Sequence, residues 1–326
     1  MNLFKRSRQA VIALASITLL TGSAYAQGTS RLQFASDSGG QVHIMPLASD
    51  TPTLSNLAVD NGPLIYNGGP IMPSANIYAI FWIPNKLQDG SATGVSSNYV
   101  PIETAMLSNY AGHGLGANNT QYNQSTPAAY VSNKGSLAAT YTDTSPYPAS
   151  GCTDSATPGG CITDAQIQSE VSKVMKKKHW KAGFNNIFML FTSSGEGSCV
   201  SGVCAYTYFC AYHGFFGSAS NPVIYSNEPY GDTVNCQKSG TPSPNGDAIA
   251  DTAATAASHE LTEAITDPEL NAWYTSQGNE IGDLCAYKYG TNGWDGALAN
   301  QMWAGNNFEL QEEFDNHASG CVQVGP

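Results

Sequence analysis

Eight cysteines constrain the fold of this 326-residue chain more than any other feature, and all of them lie beyond residue 150. An even number of cysteines after an export signal is typical of disulfide-bonded proteins that fold in an oxidising compartment. Eight cysteines allow about a hundred pairings. We predict Cys152–Cys161, which closes a local loop, and Cys285–Cys321, which would anchor the C-terminal segment. A zinc site made of cysteines alone is the rival interpretation, although the spacings lack two close CxxC pairs.

Residues 1–26 have the pattern of a removable secretory signal. Three basic residues lie within the first eight positions, an apolar run covers 10–20, and Ala-Tyr-Ala at 24–26 supplies a small-x-small cleavage site. The apolar run is too short to span a bilayer as a stable helix, and no later segment approaches about 18 consecutive apolar residues. We therefore expect a secreted, periplasmic or extracellular protein with no membrane association after cleavage.

The chain is strongly acidic, since 25 Asp and Glu residues oppose 13 Lys and Arg residues and give a formal charge of −12. Arg31 is the only arginine beyond the predicted signal. Such a surface repels phosphate backbones and anionic lipids, so we expect no nucleic-acid partner and no docking on membranes. Only 12% of the residues are charged, which favours a loop-rich protein that contains strands over a helical bundle.

The sequence divides into the signal, an extended or partly ordered N-terminal arm over 27–68, and a single α+β domain over 69–326. The arm is rich in Ser, Asp, Gly and Pro and has no sustained hydrophobic period. Within the domain, apolar runs predict buried strands at 76–84 and 186–193, with further strands at 136–141, 199–212 and 221–225. Apolar periodicity predicts helices at 100–110, 163–178 and 248–266. Asp247 can cap the last of these helices, and Pro268 stops it.

The helix predicted over 248–266 carries the sequence Ser-His-Glu-Leu-Thr-Glu at 258–263. His259 and Glu263 are spaced i, i+4 and therefore project from one face, a single turn apart. Glu260 lies about 100° round the helix from His259, near enough to reach a water held by the pair. This is the geometry of the zinc-peptidase HExxH helix, with Glu in place of the second His. The rival interpretation is an ordinary helix on whose surface His259 and Glu263 form a pair.

Further ligands are expected in the Gly-flanked loop 278–285, which contains Glu280 and Asp283. Either carboxylate would complete a three-ligand site with water in the fourth position. We therefore predict a Zn²⁺ site formed by His259, Glu263 and one of these two carboxylates, with Glu260 as the general base that takes a proton from water. A calcium loop or a purely structural loop is the alternative, because calcium also prefers oxygen ligands.

Two more residues have possible roles near this helix. His213 would face the cleft from an earlier strand and donate to a developing oxyanion, although a structural histidine fits the pattern as well. Asp267 would support the ligands or end the helix. The other histidines show no partner pattern: His43, His113, His179 and His317. The chain has no G-x-S-x-G elbow, phosphate loop or dinucleotide fingerprint in a strand–helix context.

Several segments resemble the phosphate-induced protein or EXORDIUM family, which is best known from plant cell walls. They are Gly69–Met72, Asn76–Trp82, Phe209–His213, Ser258–Glu263, Asn271–Trp273, Glu280–Cys285 and Cys321. The resemblance is scattered over 69–321 and is most specific over 259–285. It implies an extracellular location and a shared His-Glu helix, and it leaves the activity open.

The order of predicted elements also resembles that of zincin metallopeptidases: a helix, a strand, further strands and then the His-Glu helix. This implies a zincin-like α+β layout, with a mixed sheet, a backing helix and a metal-bearing helix. We therefore expect a secreted metal-dependent hydrolase, in the first place a zinc metallopeptidase with a polypeptide substrate. The alternative is a non-catalytic wall or matrix protein that binds a glycan or another cell-wall polymer.

Overall fold

The computed structural model describes residues 32–36, 38–48, 60–292 and 298–326. These residues form a mixed α+β structure in which one seven-stranded sheet separates two large hydrophobic cores. None of the helices in these ranges has the length and apolar character needed to cross a membrane. The predicted signal over 1–26 lies outside the described residues.

The helices and strands of the described ranges are numbered here in chain order. The helices are α1 (Tyr99–Asn109), α2 (Gly114–Ala117), α3 (Asp164–Lys178) and α4 (Ala248–Thr266), with 3₁₀ turns at Asn118–Gln121 and Asp283–Cys285. The strands are β1 (Gln33–Ala35), β2 (Gln41–Pro46), β3 (Ile65–Tyr66), β4 (Ala75–Trp82), β5 (Asn123–Ser125), β6 (Ala128–Tyr130), β7 (Gly135–Asp143), β8 (Cys161–Thr163), β9 (Asn186–Phe191), β10 (Gly197–Val200), β11 (Val203–Cys204), β12 (Phe209–Ser218), β13 (Asn221–Glu228), β14 (Trp273–Tyr274), β15 (Gln301–Trp303), β16 (Asn306–Phe308), β17 (Glu313–Asp315) and β18 (Gly320–Val322).

The large sheet has the strand order β1-β2-β12-β13-β9-β4-β7. Strands β1, β2, β12 and β13 pair in antiparallel fashion, whereas β13, β9, β4 and β7 pair in parallel. The central parallel strands β4 and β9 are nearly continuous apolar runs, as expected for strands covered on both faces. This mixed sheet confirms the predicted α+β class.

Helices cover both faces of the sheet. Because successive residues of a strand point to opposite faces, Phe188 and Leu190 join the core beneath α3, whereas Met189 and Phe191 join the core beneath α1 and α4. Helix α4 is buried along nearly its whole length, and its many alanines allow the helix to lie close to the strands.

The helix ends follow the capping residues in the sequence. Helix α3 begins with a capping box, in which the Thr163 side chain accepts from the backbone N–H of Gln166 and the Gln166 side chain accepts from the N–H of Thr163. Asp247 accepts from the N–H of Ala250 at the start of α4. The predicted helix over 248–266 is confirmed residue for residue, and the other two long helices agree within one residue at each end.

The segment predicted as an N-terminal arm, 27–68, supplies strands to the sheets. Strand β2 lies between β1 and β12 in the large sheet, and β3 pairs with β14. Five of the six residues of β2 are buried, so burial does not alternate along this strand as it does along a half-exposed one. Strands before residue 69, the predicted start of the domain, therefore pair with strands that lie after it.

All eight cysteines form disulfides. The predicted pairs Cys152–Cys161 and Cys285–Cys321 are confirmed, and Cys199–Cys204 and Cys210–Cys236 complete the set. The alternative of a cysteine-only zinc site is wrong, because no free thiol remains to bind a metal.

Replacing both cysteines of Cys285–Cys321 with alanine should destabilise the protein more than replacing those of Cys199–Cys204. A disulfide restricts the unfolded chain more strongly when it closes a longer loop. The two bridges join cysteines 36 and 5 positions apart, which corresponds to losses of roughly 4 and roughly 2 kcal/mol. Chemical denaturation of the two double variants measures the difference. Equal losses would contradict this explanation.

Candidate metal centre

Two histidines face helix α4 from neighbouring strands of the large sheet. His43 on β2 and His213 on β12 are direct cross-strand partners, and their ring centroids are 6.0 Å apart. Val42, Ile44 and Tyr212, their neighbours in sequence, join the core on the α3 side. The alternation of side chains along each strand therefore directs both imidazoles towards α4, where both are fully buried.

Helix α4 presents three side chains to these histidines. His259 Nε2 lies 3.1 Å from Glu263 Oε1, as expected for residues spaced i, i+4. Glu260 Oε2 lies 3.1 Å from His213 Nδ1, so the helix and the sheet are joined by a buried hydrogen bond. One turn of the helix thus supplies both the His-Glu pair and the neighbouring carboxylate.

The loop after α4 brings two more carboxylates to the same place. Asp283 Oδ2 lies 2.8 Å from His43 Nε2 and accepts from the backbone N–H of Glu280 at 2.7 Å. Glu280 Oε1 lies 3.2 Å from His43 Nδ1, and Glu280 Oε2 lies 3.7 Å from His213 Nε2. The loop therefore surrounds His43 with carboxylates on both ring nitrogens.

Gln311 holds the ring of His259 in place. Its amide nitrogen is 3.0 Å and its amide oxygen 3.4 Å from His259 Nδ1, and the nitrogen also donates to the carbonyl of Gly282 at 2.7 Å. With Nδ1 engaged in this way, Nε2 faces Glu263 and lies 4.0 Å from Asp283 Oδ1. Histidine ligands of metals characteristically have their second ring nitrogen held by a neighbour.

We call seven of these residues the His-carboxylate cluster: His43, His213, His259, Glu260, Glu263, Glu280 and Asp283. Several of its buried polar atoms have no hydrogen-bond partner among the described residues. Each of these seven side chains is at most 4% exposed. Nine of their atoms have no hydrogen-bond partner within the described ranges: His43 Nδ1, His213 Nε2, His259 Nε2, Glu260 Oε1, both Glu263 oxygens, both Glu280 oxygens and Asp283 Oδ1. Two groups of three residues each offer ligand atoms within 4.8 Å of one another: His43, Glu263 and Asp283, and His213, Glu263 and Glu280.

The charges of this cluster point to a bound cation. In the part of the chain that the structure describes, histidine is the only basic residue in the ion pairs of the cluster, and no arginine is present. Burying an uncompensated carboxylate costs several kcal/mol. Imidazole nitrogen and carboxylate oxygen are the donor set of zinc and of other divalent first-row metals, so the residues present fit such an ion.

Burial and neighbouring charges shift the pKa values of Glu260, His213 and His259. Burial raises the pKa of Glu260 well above its usual range, and the neighbouring Glu263 carboxylate raises it further. Burial lowers the pKa of His213, and the charges of the two other histidines lower it further. Burial alone would lower the pKa of His259, but the Glu263, Asp283 and Glu313 carboxylates together outweigh this effect and raise that pKa to about 9. Because a metal must displace protons from such groups, its affinity falls as the pH is lowered.

The structure brings all five predicted site residues into this cluster: His259, Glu260, Glu263, Glu280 and Asp283. It does not choose between the two loop carboxylates, since both lie beside His43. The individual roles of ligand and general base stay predictions. The carboxylate of Asp267 accepts from the N–H groups of Asn271 and Ala272, which fits a role in closing the turn after the helix.

Sequence analysis missed His43 and Gln311. His43 lies in a segment without a sustained period, and its place opposite His213 depends on the register of β2 against β12. The local signal was the apolar pair Val42 and Ile44 on either side of the histidine, which is typical of a strand with a polar residue on one face. Gln311 lies in an irregular segment where the sequence has no comparable signal.

Comparisons with known proteins give local matches only. Neither a model of a known protein family nor a solved structure matches the chain. Two Arabidopsis thaliana proteins match: Protein EXORDIUM-like 5 is 38% identical over 63 residues, and Protein EXORDIUM-like 3 is 42% identical over 64 residues. The chain is similar to EXORDIUM-like proteins over this stretch. Each alignment covers 18% of the chain, and it spans 17% and 19% of these curated relatives. These matches support the EXORDIUM-like resemblance, whereas the zincin resemblance stays a prediction.

A substitution at Gly282 tests whether the cluster binds a metal, and it removes none of the predicted ligands. A Cβ at this position would lie 2.6 Å from His259 Nδ1 and 3.0 Å from Glu263 Oε1. We expect Gly282→Ala to weaken Zn²⁺ binding about tenfold or more, because displacing the groups that orient ligands typically costs this much. Competition with a chromogenic chelator measures the affinity. Gly94→Ala, whose added Cβ meets nothing within 4 Å, should bind like the wild type. Unchanged affinity in Gly282→Ala would mean that His259 and Glu263 do not hold the ion.

Proposed function

We propose that this protein is an exported metal-dependent hydrolase, in which α4 supplies two metal ligands and the general base. The observation that carries the proposal is the convergence of unpartnered atoms of His259, Glu263 and Asp283 beside Glu260 in a buried site. Export is part of the proposal and is supported by the predicted signal and by the four disulfides. The local similarity to EXORDIUM-like proteins agrees with an extracellular role.

The ligand set of the proposed site comes from one helical turn and the following loop. His259 Nε2 and the Glu263 carboxylate face each other, and the third donor that we propose is Asp283 Oδ1, 4.0 Å from His259 Nε2, with Glu280 as the alternative. When bound, a divalent ion such as Zn²⁺ lowers the pKa of a water at the site and polarises the bond that is to be cleaved.

Glu260 is the proposed general base. Its Oε2 is held by His213 Nδ1, whereas no group of the described ranges bonds to its Oε1. His213 therefore orients the carboxylate and leaves one oxygen free to take a proton from water. Once it has taken this proton, the carboxyl group would deliver it to the leaving group. The proposed substrate is a polypeptide.

A second candidate function follows from the burial of the same side chains. Structural metal sites are closed, whereas catalytic sites keep a position open to water or substrate. A metal enclosed by the His-carboxylate cluster would join β2, β12, α4 and the loop 280–283 in a non-catalytic wall or matrix protein. Its partner would be a cell-wall polymer. The two candidates differ at Glu260, because structural binding has no need of a general base.

Glu260→Gln separates these candidates. For a hydrolase we expect the variant to keep its metal and to lose about 10²–10⁴-fold in rate, the usual contribution of general acid–base catalysis. Mass spectrometry of a mixture of unstructured peptides, incubated with the Zn²⁺-loaded full chain, measures cleavage. Glu196→Gln is the matched control, since Glu196 is also a buried glutamate but bonds to Gln88 outside the cluster.

Two results would contradict the hydrolase. One is unchanged cleavage by a folded, metal-loaded Glu260→Gln variant, which would remove Glu260 from the reaction. The other is a metal-loaded wild type that cleaves no peptide but is retained on insoluble wall polysaccharide. Retention of this kind, equal in the wild type and in Glu260→Gln, would support the non-catalytic candidate.

A further inference from the structure

We infer that the His-carboxylate cluster binds two divalent cations, with Glu263 as the ligand that bridges them. The inference rests on the metal site of the proposed function and extends it by a second ion. It also assigns ligand roles to His43 and His213, which lie outside the His-Glu helix.

The donor atoms fall into two groups that share one residue. Each group gathers three ligand atoms within 4.8 Å of one another: His43, Glu263 and Asp283 in the first, and His213, Glu263 and Glu280 in the second. Each therefore combines one imidazole with two carboxylates. His259 borders the first group, because its Nε2 lies 4.0 Å from Asp283 Oδ1.

The two oxygens of Glu263 face different histidines. Oε1 lies 3.1 Å from His259 Nε2, and Oε2 lies 3.6 Å from His213 Nδ1. Neither oxygen has a hydrogen-bond partner in the described part of the chain. Because Glu263 belongs to both donor groups, its carboxylate is suited to bridge a pair of ions, which in two-metal sites lie about 3.5–4 Å apart.

The second group also has the surroundings of a metal ligand. His213 Nδ1 bonds to Glu260, whereas its Nε2 points towards Glu280 and has no hydrogen-bond partner among the described residues. A carboxylate on one ring nitrogen and a free second nitrogen form the carboxylate–histidine–metal pattern. Glu260 Oε1 is still unpartnered in this arrangement, so the base proposed above is kept.

One ion is too few for the donors and the charge of the cluster. A tetrahedral zinc accepts four donors, so a single ion would leave at least three of the seven side chains without a bond to a metal. The four carboxylates carry four negative charges when ionised, of which one divalent ion would compensate two. Two divalent ions would compensate all four, in a cluster whose ion pairs within the described ranges contain neither lysine nor arginine. The buried carboxyl groups of Glu228 and Glu313, which interact electrostatically with His259, lie outside this count.

The stoichiometry of metal binding tests this inference on the full chain. Protein freed of metal by a chelator is loaded with Zn²⁺ and passed through a desalting column, and the bound zinc is measured by elemental analysis. We expect two equivalents in the wild type, one in His213→Ala, and two in the control His317→Ala, whose side chain is 73% exposed. One equivalent in the wild type would overturn the second ion and leave the proposed hydrolase standing. No bound zinc in a folded wild type would overturn both.

A spectroscopic measurement on the wild type tests the bridge without a variant. Two Co²⁺ ions joined by a carboxylate couple magnetically, so the low-temperature electron paramagnetic resonance signal per ion should fall as the second equivalent binds. Glu263→Gln, which keeps the size of the side chain, should abolish this loss. A signal that simply doubles between one and two equivalents would overturn the bridging role of Glu263.

Discussion

The structure depends on how it compensates four carboxylates that are buried between the large sheet and helix α4. Removing a carboxylate from water costs several kcal/mol even after the surroundings relax, and the described neighbours of this cluster offer histidines as the only basic groups. Protons or cations must supply the remaining charge. The side chains of the cluster come from β2, β12, α4 and the loop 280–283, so a cation bound by them would also connect the N-terminal strands to the C-terminal half. Stability and the candidate chemistry therefore share one site.

The sequence predicted the elements whose signals are local. Helix α4 was located residue for residue because its alanines favour a helix, Asp247 caps it and Pro268 stops it. Strands β4 and β9 were located within two residues because they are continuous apolar runs. Strand β2 escaped prediction because its place in the sheet depends on pairing with β12, far along the chain, and because most of its residues are buried.

The same distinction applies to the site. His259, Glu260 and Glu263 lie on one helical turn, and Glu280 and Asp283 follow soon after it, so spacing alone grouped them. His43 joins the cluster through the register of two strands, and Gln311 contacts His259 through the path of the C-terminal segment; no local pattern encodes either. The helix and the following loop therefore predicted three ligands around one ion. The folded chain adds two histidines from the sheet, His43 and His213.

The disulfides and the cluster are also physically linked. The loop that carries Glu280 and Asp283 is not part of a long helix or strand. It is fixed by a disulfide at Cys285 and by a backbone hydrogen bond at Ile281. Cys285 is bonded to Cys321, which pairs across β17 and β18 with Phe314, and the N–H of Phe314 donates to the carbonyl of Ile281 inside the loop. Ordering such a loop before an ion binds lowers the entropic cost of binding. The Cys285–Cys321 disulfide therefore holds the loop in place before any ion binds.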